Sequence, residues 1–285
     1  MLYIGVDLGT SSVKLILMDE NGDIKNVTHR EYDCDYPHPG WSEQDPYKWY
    51  EESVNGIREL ISGCDKKEIA GLSFGGQMHG LVILDENDEV IRPAILWNDS
   101  RTTVENDYLN QSIGQDKLSE YTANISFAGF TAPKILWVMN HEPDNFKRIR
   151  KIMLPKDYLA YRLTGVNSTD YSDASGTLLL DVKNKKWSYE MCEICHISSD
   201  MLPALYESYE KIGVVRPEVA KEIGLSDHVI VAAGEYRTVN EACQKIVRVV
   251  DHVEPETDLV SKYDIHYQQY KNIYPAVKEL FLKLQ

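Results

Sequence analysis

Apolar residues gather in three short runs at the start of the chain, over 2–7, 12–18 and 24–32, and each run reads as a β-strand. The second and third are joined by Asp19-Glu20-Asn21-Gly22-Asp23, whose Asn-Gly step is a strong hairpin signal. A helix is predicted from Asp45-Pro46, with Asp45 as N-cap and Pro46 at the first helical position. Tyr50, Val54, Ile57 and Ile61 then fall on one helical face, and Gly63 stops the helix. Residues 69–74 read as a buried strand, and 81–84 with 89–91 as a second hairpin around Asp85-Glu86-Asn87-Asp88. Helical patterns follow at 114–121, 132–140, 155–164 and 187–195, and 229–233 is a short apolar strand ending at Gly234. Beyond it, 239–250 and 257–282 read as amphipathic helices interrupted by Pro255 and Pro275. Tyr263, Tyr267, Tyr270 and Tyr274 share one face there, which predicts buried packing. Three meandering strands followed by helix and strand predict an α/β fold, a mixed sheet with helices on its faces.

Composition narrows the picture only in places. A chain of 285 residues with 43% hydrophobic and 26% charged residues fits one large or two medium globular domains. A net charge of −15 argues against nucleic acid or an anionic membrane as the main partner. An anionic substrate would then need a local positive or backbone-amide site. Met1 leads straight into a strand without a signal pattern, and no apolar run approaches a membrane span. Five cysteines do not suggest a disulfide framework, so the expected location is the cytoplasm. Cys192 and Cys195 form a lone CxxC that reads as helix surface and core rather than a metal site.

Candidate chemistry sits in the connections. After the first strand comes Asp7-Leu8-Gly9-Thr10-Ser11-Ser12-Val13-Lys14. Gly9 permits close backbone approach and unusual dihedrals, and successive N–H groups in such a turn can bind an anion. Asp7 at the strand end could hold a hydrated Mg²⁺, which favours one or two carboxylates with phosphate oxygens. An ordinary hairpin with a polar turn has the same residues. Gly75-Gly76-Gln77-Met78-His79-Gly80 offers hydrogen-bonding groups and one apolar wall, which suits a small polyol; a plain strand-linking turn is the alternative. Trp97 can stack on a sugar face, Asn98 and Asp99 can bind hydroxyls, and Arg101 can orient or neutralise Asp99. Asp99 or Ser100 could equally cap a helix beginning near Thr102. Lys134 could face a phosphate or simply be solvated near a helix start.

Taken in order, these segments resemble the FGGY carbohydrate kinases, and among them the xylulose kinases most. The opening from Ile4 to Lys14 is similar to the family's first phosphate hairpin. The stretch from Gly129 to His141 matches its signature spacing, with Lys134, Trp137 and the Asn140-His141 pair. Gln77-Met78-His79-Gly80, Trp41-Ser42-Glu43-Gln44-Asp45-Pro46, Trp97-Asn98-Asp99 and Leu154-Pro155-Lys156-Asp157-Tyr158 match the xylulose kinase pattern. The resemblance implies an actin-like, ribonuclease H-like lobe of the ATPase superfamily. It implies ATP and Mg²⁺ as the intact family's cofactors and a ketose as partner, D-xylulose first, with D-ribulose as competitor. Gln77, Met78, His79, Trp97, Asn98 and Asp99 would be substrate-binding. Gly9, Thr10, Ser11, Ser12 and Lys14 would form the phosphate side, and Asp7 would serve Mg²⁺ through water.

The resemblance breaks after Gly234. The family continues Gly-Gly-Asp-Asn there, its aspartate being the catalytic base, whereas this chain reads Gly234-Glu235-Tyr236-Arg237-Thr238. Val239 to Cys243, Glu254-Pro255-Glu256 and Tyr270 to Pro275 resemble the family's C-terminal tail. The expected domains are therefore a sugar-binding lobe over 1–234 and a helical tail over 235–285, without the ATP-binding lobe. Nothing places Glu235 to act as the base. The alternatives are a sugar-binding or interaction module without ATP chemistry, and an internal deletion from an ordinary kinase. A face normally covered by the second lobe should be apolar and exposed, favouring homodimers or self-association.

Overall fold

The computed structural model describes residues 1–232, together with helical positions 259–260, 262–264, 266–268 and 271. The chain divides into two compact units, 1–246 and 247–285. In the second unit Tyr263 and Tyr267 are exposed, against the expected buried stripe, and Tyr270 and Tyr274 lie outside the described residues. So do the expected joint at Gly234, Glu235 and the helix at 239–250.

The first unit is built on a six-stranded sheet. β1 (Leu2–Leu8), β2 (Ser12–Asp19) and β3 (Ile24–Glu31) form the predicted antiparallel meander. After α1 (Pro46–Leu60), β4 (Ile69–Gly76) returns parallel to β1. The sheet is completed by β7 (Lys211–Val214) and β8 (Ile230–Ala232), and its order is β7-β8-β4-β1-β2-β3. Period-two alternation makes the sheet two-sided. Ile4, Val6, Leu8, Val13, Leu15 and Leu17 are buried against α1, α3 (Pro155–Thr164) and α6 (Pro217–Ile223). Tyr3, Gly5 and Asp7, with Lys14, Ile16 and Met18, point the other way. That second face carries an open groove of about 550 Å³ lined by Tyr3, Gly5, Met18, Gly71 and Ile230.

Local signals set α1: the Asp45 carboxylate accepts from the Tyr47 N–H, and Pro46 opens the first turn. The second hairpin is present but short. Asp85 N–H donates to the Glu89 carbonyl, Ile91 N–H donates to the Ile83 carbonyl, and Val90 bridges Leu84 antiparallel, so the turn forms with only a short ladder. The longer ladder of β5 (Val82–Leu84) is with β6 (Lys151–Met153), about seventy residues away, a contact no local pattern reveals.

A second apolar cluster packs α2 (Thr131–His141), through Ile135, Leu136, Trp137 and Val138, against Ile83, Leu178, Leu179 and α5 (Tyr189–Ile194). Cys192 and Cys195 belong to this core. Burial pushes the Cys192 thiol up to about 11 and the Cys195 thiol higher still, so both pack as neutral thiols.

Candidate functional site

The turn after β1 is held from three sides. Gly9 N–H donates to the Ser12 carbonyl at 3.0 Å. The Tyr32 hydroxyl donates to the Gly9 carbonyl at 2.5 Å, and Tyr32 N–H donates to Ser11. Burial, then the charge of Asp7, raises the Tyr32 hydroxyl above its ordinary value. Gly9 does not take a positive φ, contrary to expectation. Its requirement is space, since a Cβ there would stand 3.0 Å from the Ser12 carbonyl oxygen. Asp7 is exposed at the end of β1, paired across the ladder with Lys14 and flanked by Gly75, where a Cβ would meet nothing within 4 Å. One exposed carboxylate beside an open glycine suits a hydrated Mg²⁺ that also takes phosphate oxygens.

Trp97 joins this turn to the next loop. Its indole Nε1 donates to Thr10 Oγ1 at 3.0 Å while the ring stays 46% exposed. Asn98 is exposed beside it and lines a cavity of about 380 Å³ with the 36–42 loop. Asp99 differs from expectation. It is 2% exposed, and its oxygens accept from Ser42 N–H at 2.6 Å and from Arg101 N–H, Nε and Nη2 at 2.7–3.0 Å. With both oxygens engaged inward, Asp99 fixes the loop rather than meeting a hydroxyl. Neither Asp99 nor Ser100 caps the helix Thr103–Asp107, whose cap position is Thr102.

Arg101 is 1% exposed at its side chain, with Nη1 also 2.7 Å from Glu43 Oε1 as an ion pair off the ideal hydrogen-bond line. Its guanidinium lies 3.7 Å from the Trp41 ring centre and 4.9 Å from that of Trp137. Arg101 therefore orients and neutralises Asp99 as its sequence position suggested.

Gln77 is buried, its side-chain amide donating to Gln44 Oε1 at 3.1 Å, and Gln44 in turn donates to the Thr10 carbonyl at 2.6 Å. Gln77 thus supports the Gly9–Ser12 turn through Gln44, while Met78 is half exposed. His79 holds a φ of 63°, a left-handed conformation that costs a non-glycine residue about 1–2 kcal/mol. Its ring lies 4.7 Å from that of Phe130 and presses on Gly176. Its Nδ1 is buried without a well-formed hydrogen bond, although Gly176 backbone stands beside it. Burial, then the charge of Lys134, lowers the His79 pKa and keeps the imidazole neutral.

Two lysines are buried, Lys156 and Lys134, the latter neither solvated nor facing open space. Lys156 Nζ sits 2.7, 2.9 and 3.2 Å from carboxylate oxygens of Asp157, Asp170 and Asp173. Burial pulls its pKa down, but the carboxylates outweigh that and hold it above the ordinary value. Asp170 also caps α4 (Tyr171–Ser175) by accepting from Asp173 N–H, so Lys156 pins α4 and with it Gly176 against His79.

Lys134 is fully buried and donates to the backbone carbonyls of His79, at 2.9 Å, and Gly129. Burial pushes its pKa down to about 7; Asp99 opposes this and Arg101 adds to it. Between about 7 and 10.5 the unfolded chain carries a proton here that the folded chain does not, so stability rises with pH across that window. The thermal midpoint should climb from pH 7 to pH 9, and Lys134→Met should flatten the climb. Parallel curves for the two chains would show that Lys134 stays charged.

The fold and this set of loops define a sugar-kinase lobe. The chain belongs to the FGGY family of carbohydrate kinases, whose N-terminal domain it matches over residues 2–242. It is 44% identical over 233 residues to the xylulose kinase of Escherichia coli K12, covering 82% of this chain and 48% of that one. It is 47% identical over 238 residues to the xylulose kinase of Lactococcus lactis, covering 82% and 47%. Among solved structures, a xyloylose kinase from Brucella ovis superposes with a TM-score of 0.78 at 44% identity, over 82% of this chain and 48% of that one. A xylulose kinase from Rhodospirillum rubrum gives 0.78 at 26% identity, over 81% and 48%. The six-stranded sheet with its helices is thus the actin-like lobe of this family, and the chain spans about half the length of the relatives it matches.

Proposed function

We propose that this chain is the sugar-binding lobe of a xylulose kinase, which moves the γ-phosphoryl group of ATP to the terminal hydroxyl of D-xylulose. The observation that carries this reading is the Trp97–Thr10 hydrogen bond. It joins a ring able to stack on a sugar to the turn able to hold a phosphate, so a ketose on Trp97 presents one end to that turn. Met78 and His79 supply an apolar wall and a neutral imidazole, and Asn98 supplies an exposed amide for hydroxyls. The backbone of Gly9 to Ser12 and the Lys14 ammonium serve the phosphate side, and Asp7 holds Mg²⁺ through water. When bound, Mg²⁺ neutralises charge on the transferring phosphoryl group.

The lobe extends over 1–234 and the tail over 235–285. The rest of the ATP site belongs to the half of the relatives that this chain does not span. Because the family's catalytic aspartate is replaced by the Gly234-Glu235 run, the isolated chain binds the ketose without turning it over. Calorimetry with D-xylulose should give a saturable heat, weaker with D-ribulose and lost in His79→Ala. Incubation with ATP and Mg²⁺ should yield no D-xylulose 5-phosphate. Absence of sugar binding by the folded wild-type chain would refute the sugar-site reading, and phosphorylation would refute the non-catalytic one.

A further inference from the structure

We propose that Lys134 is a positioning residue that locks the His79 loop and the Trp97 loop into one rigid surface; its consequence for ligand affinity rests on the sugar-site reading above. The lysine lies on the first turns of α2 and touches neither loop by side-chain packing alone. It reaches two main-chain carbonyls, of His79 and of Gly129, which are separated from it by 55 and 5 positions in the chain. Each carbonyl belongs to a strained or crowded point. His79 is in the left-handed region, and such a conformation persists only when its surroundings over-determine it. Lys134 Nζ and Thr131 Oγ1 hold the His79 carbonyl together, the latter at 3.2 Å. Gly129 approaches the Trp97 main chain so closely that a Cβ there would stand 2.7 Å from the Trp97 carbonyl oxygen. Fixing the Gly129 carbonyl therefore fixes the seat of Trp97. No carboxylate pairs with Lys134 among the described residues, so its amine is engaged by these two carbonyls and not by an ion pair.

The test uses the whole chain, selectively labelled on histidine and tryptophan side chains. In Lys134→Met, without sugar, the His79 imidazole and the Trp97 indole N–H resonances should both shift. The Trp187 indole, which donates to the Pro203 carbonyl at 2.8 Å, should stay in place. With D-xylulose, calorimetry should show at least a tenfold loss of affinity. Thr131→Val removes one of the two donors on the His79 carbonyl and leaves the amine. It should shift His79, leave Trp97 unmoved, and weaken sugar binding about threefold by the usual value of a single shared hydrogen bond. If Lys134→Met does not fold, Lys134→Gln, which shortens the side chain and keeps an N–H donor, is read by the same two resonances. Unchanged His79 and Trp97 resonances overturn the proposal. Shifts without any wild-type sugar binding uphold it and overturn the sugar reading alone.

Discussion

Arg101→Met should lose about 3–5 kcal/mol of stability, the usual cost of stranding the partner of a buried ion pair. One partner is stranded here, the buried Asp99, while Glu43 keeps its pair with Arg92, whose Nη2 donates to Glu43 Oε1 at 2.5 Å. Methionine would refill much of the volume between Trp41 and Trp137, so the loss reports charge and hydrogen bonding rather than a cavity. Lysine should not rescue it. An ammonium cannot make the forked contact to both Asp99 oxygens while lying flat on the Trp41 ring. Urea unfolding measures the effect, and a loss below about 1 kcal/mol would mean that the cluster relaxes or hydrates freely. Because Asp99 also anchors Ser42 N–H, the 36–42 loop should lose protection from hydrogen exchange in the variant.

Gly176→Ala should weaken sugar binding at least tenfold while leaving the fold intact. A Cβ at this position would stand 2.2 Å from His79 Cε1 and 2.6 Å from Nδ1, so the imidazole must leave its seat. The main chain cannot follow easily, since Lys134 and Thr131 hold the His79 carbonyl. Overpacking of this kind costs about 1–3 kcal/mol, concentrated on the ring. Two measurements separate the outcomes. Calorimetry should show a loss of affinity of at least tenfold, and NMR titration should return the imidazole pKa upward towards its ordinary 6.5 as burial is relieved. An unmoved titration with unchanged affinity would show that α4 yields instead of the histidine.

Much of the fold is legible locally. The meander β1 to β3 follows from apolar runs and the Asn21-Gly22 turn, and α1 from Asp45 and Pro46, because each signal acts within a few residues. The candidate site is legible as a set of loops: Asp7, Thr10, Met78, His79, Trp97 and Asn98 lie at the connections where polar motifs interrupt apolar elements. What escapes is which polar groups face inward. Asp99 and Ser42 are 57 positions apart, and Lys134 meets His79 across 55, so their burial depends on how distant segments stack. The pairing of β5 with β6 was hidden for the same reason. Gly176 carried no local signal, and only the packed ring of His79 shows why nothing larger fits.

The sheet's second face has a practical bearing on how this chain behaves in the laboratory. Among the described residues helices seal one side, while Tyr3, Met18 and Ile230 line an apolar trough on the other. A fluorescent dye that lights up on hydrophobic surface should therefore glow on the native chain. Such a signal usually indicates a loosened, partly melted state. Here it would coexist with sharp near-ultraviolet dichroism from packed tryptophans such as Trp49, and brightness alone would misjudge a well-ordered molecule.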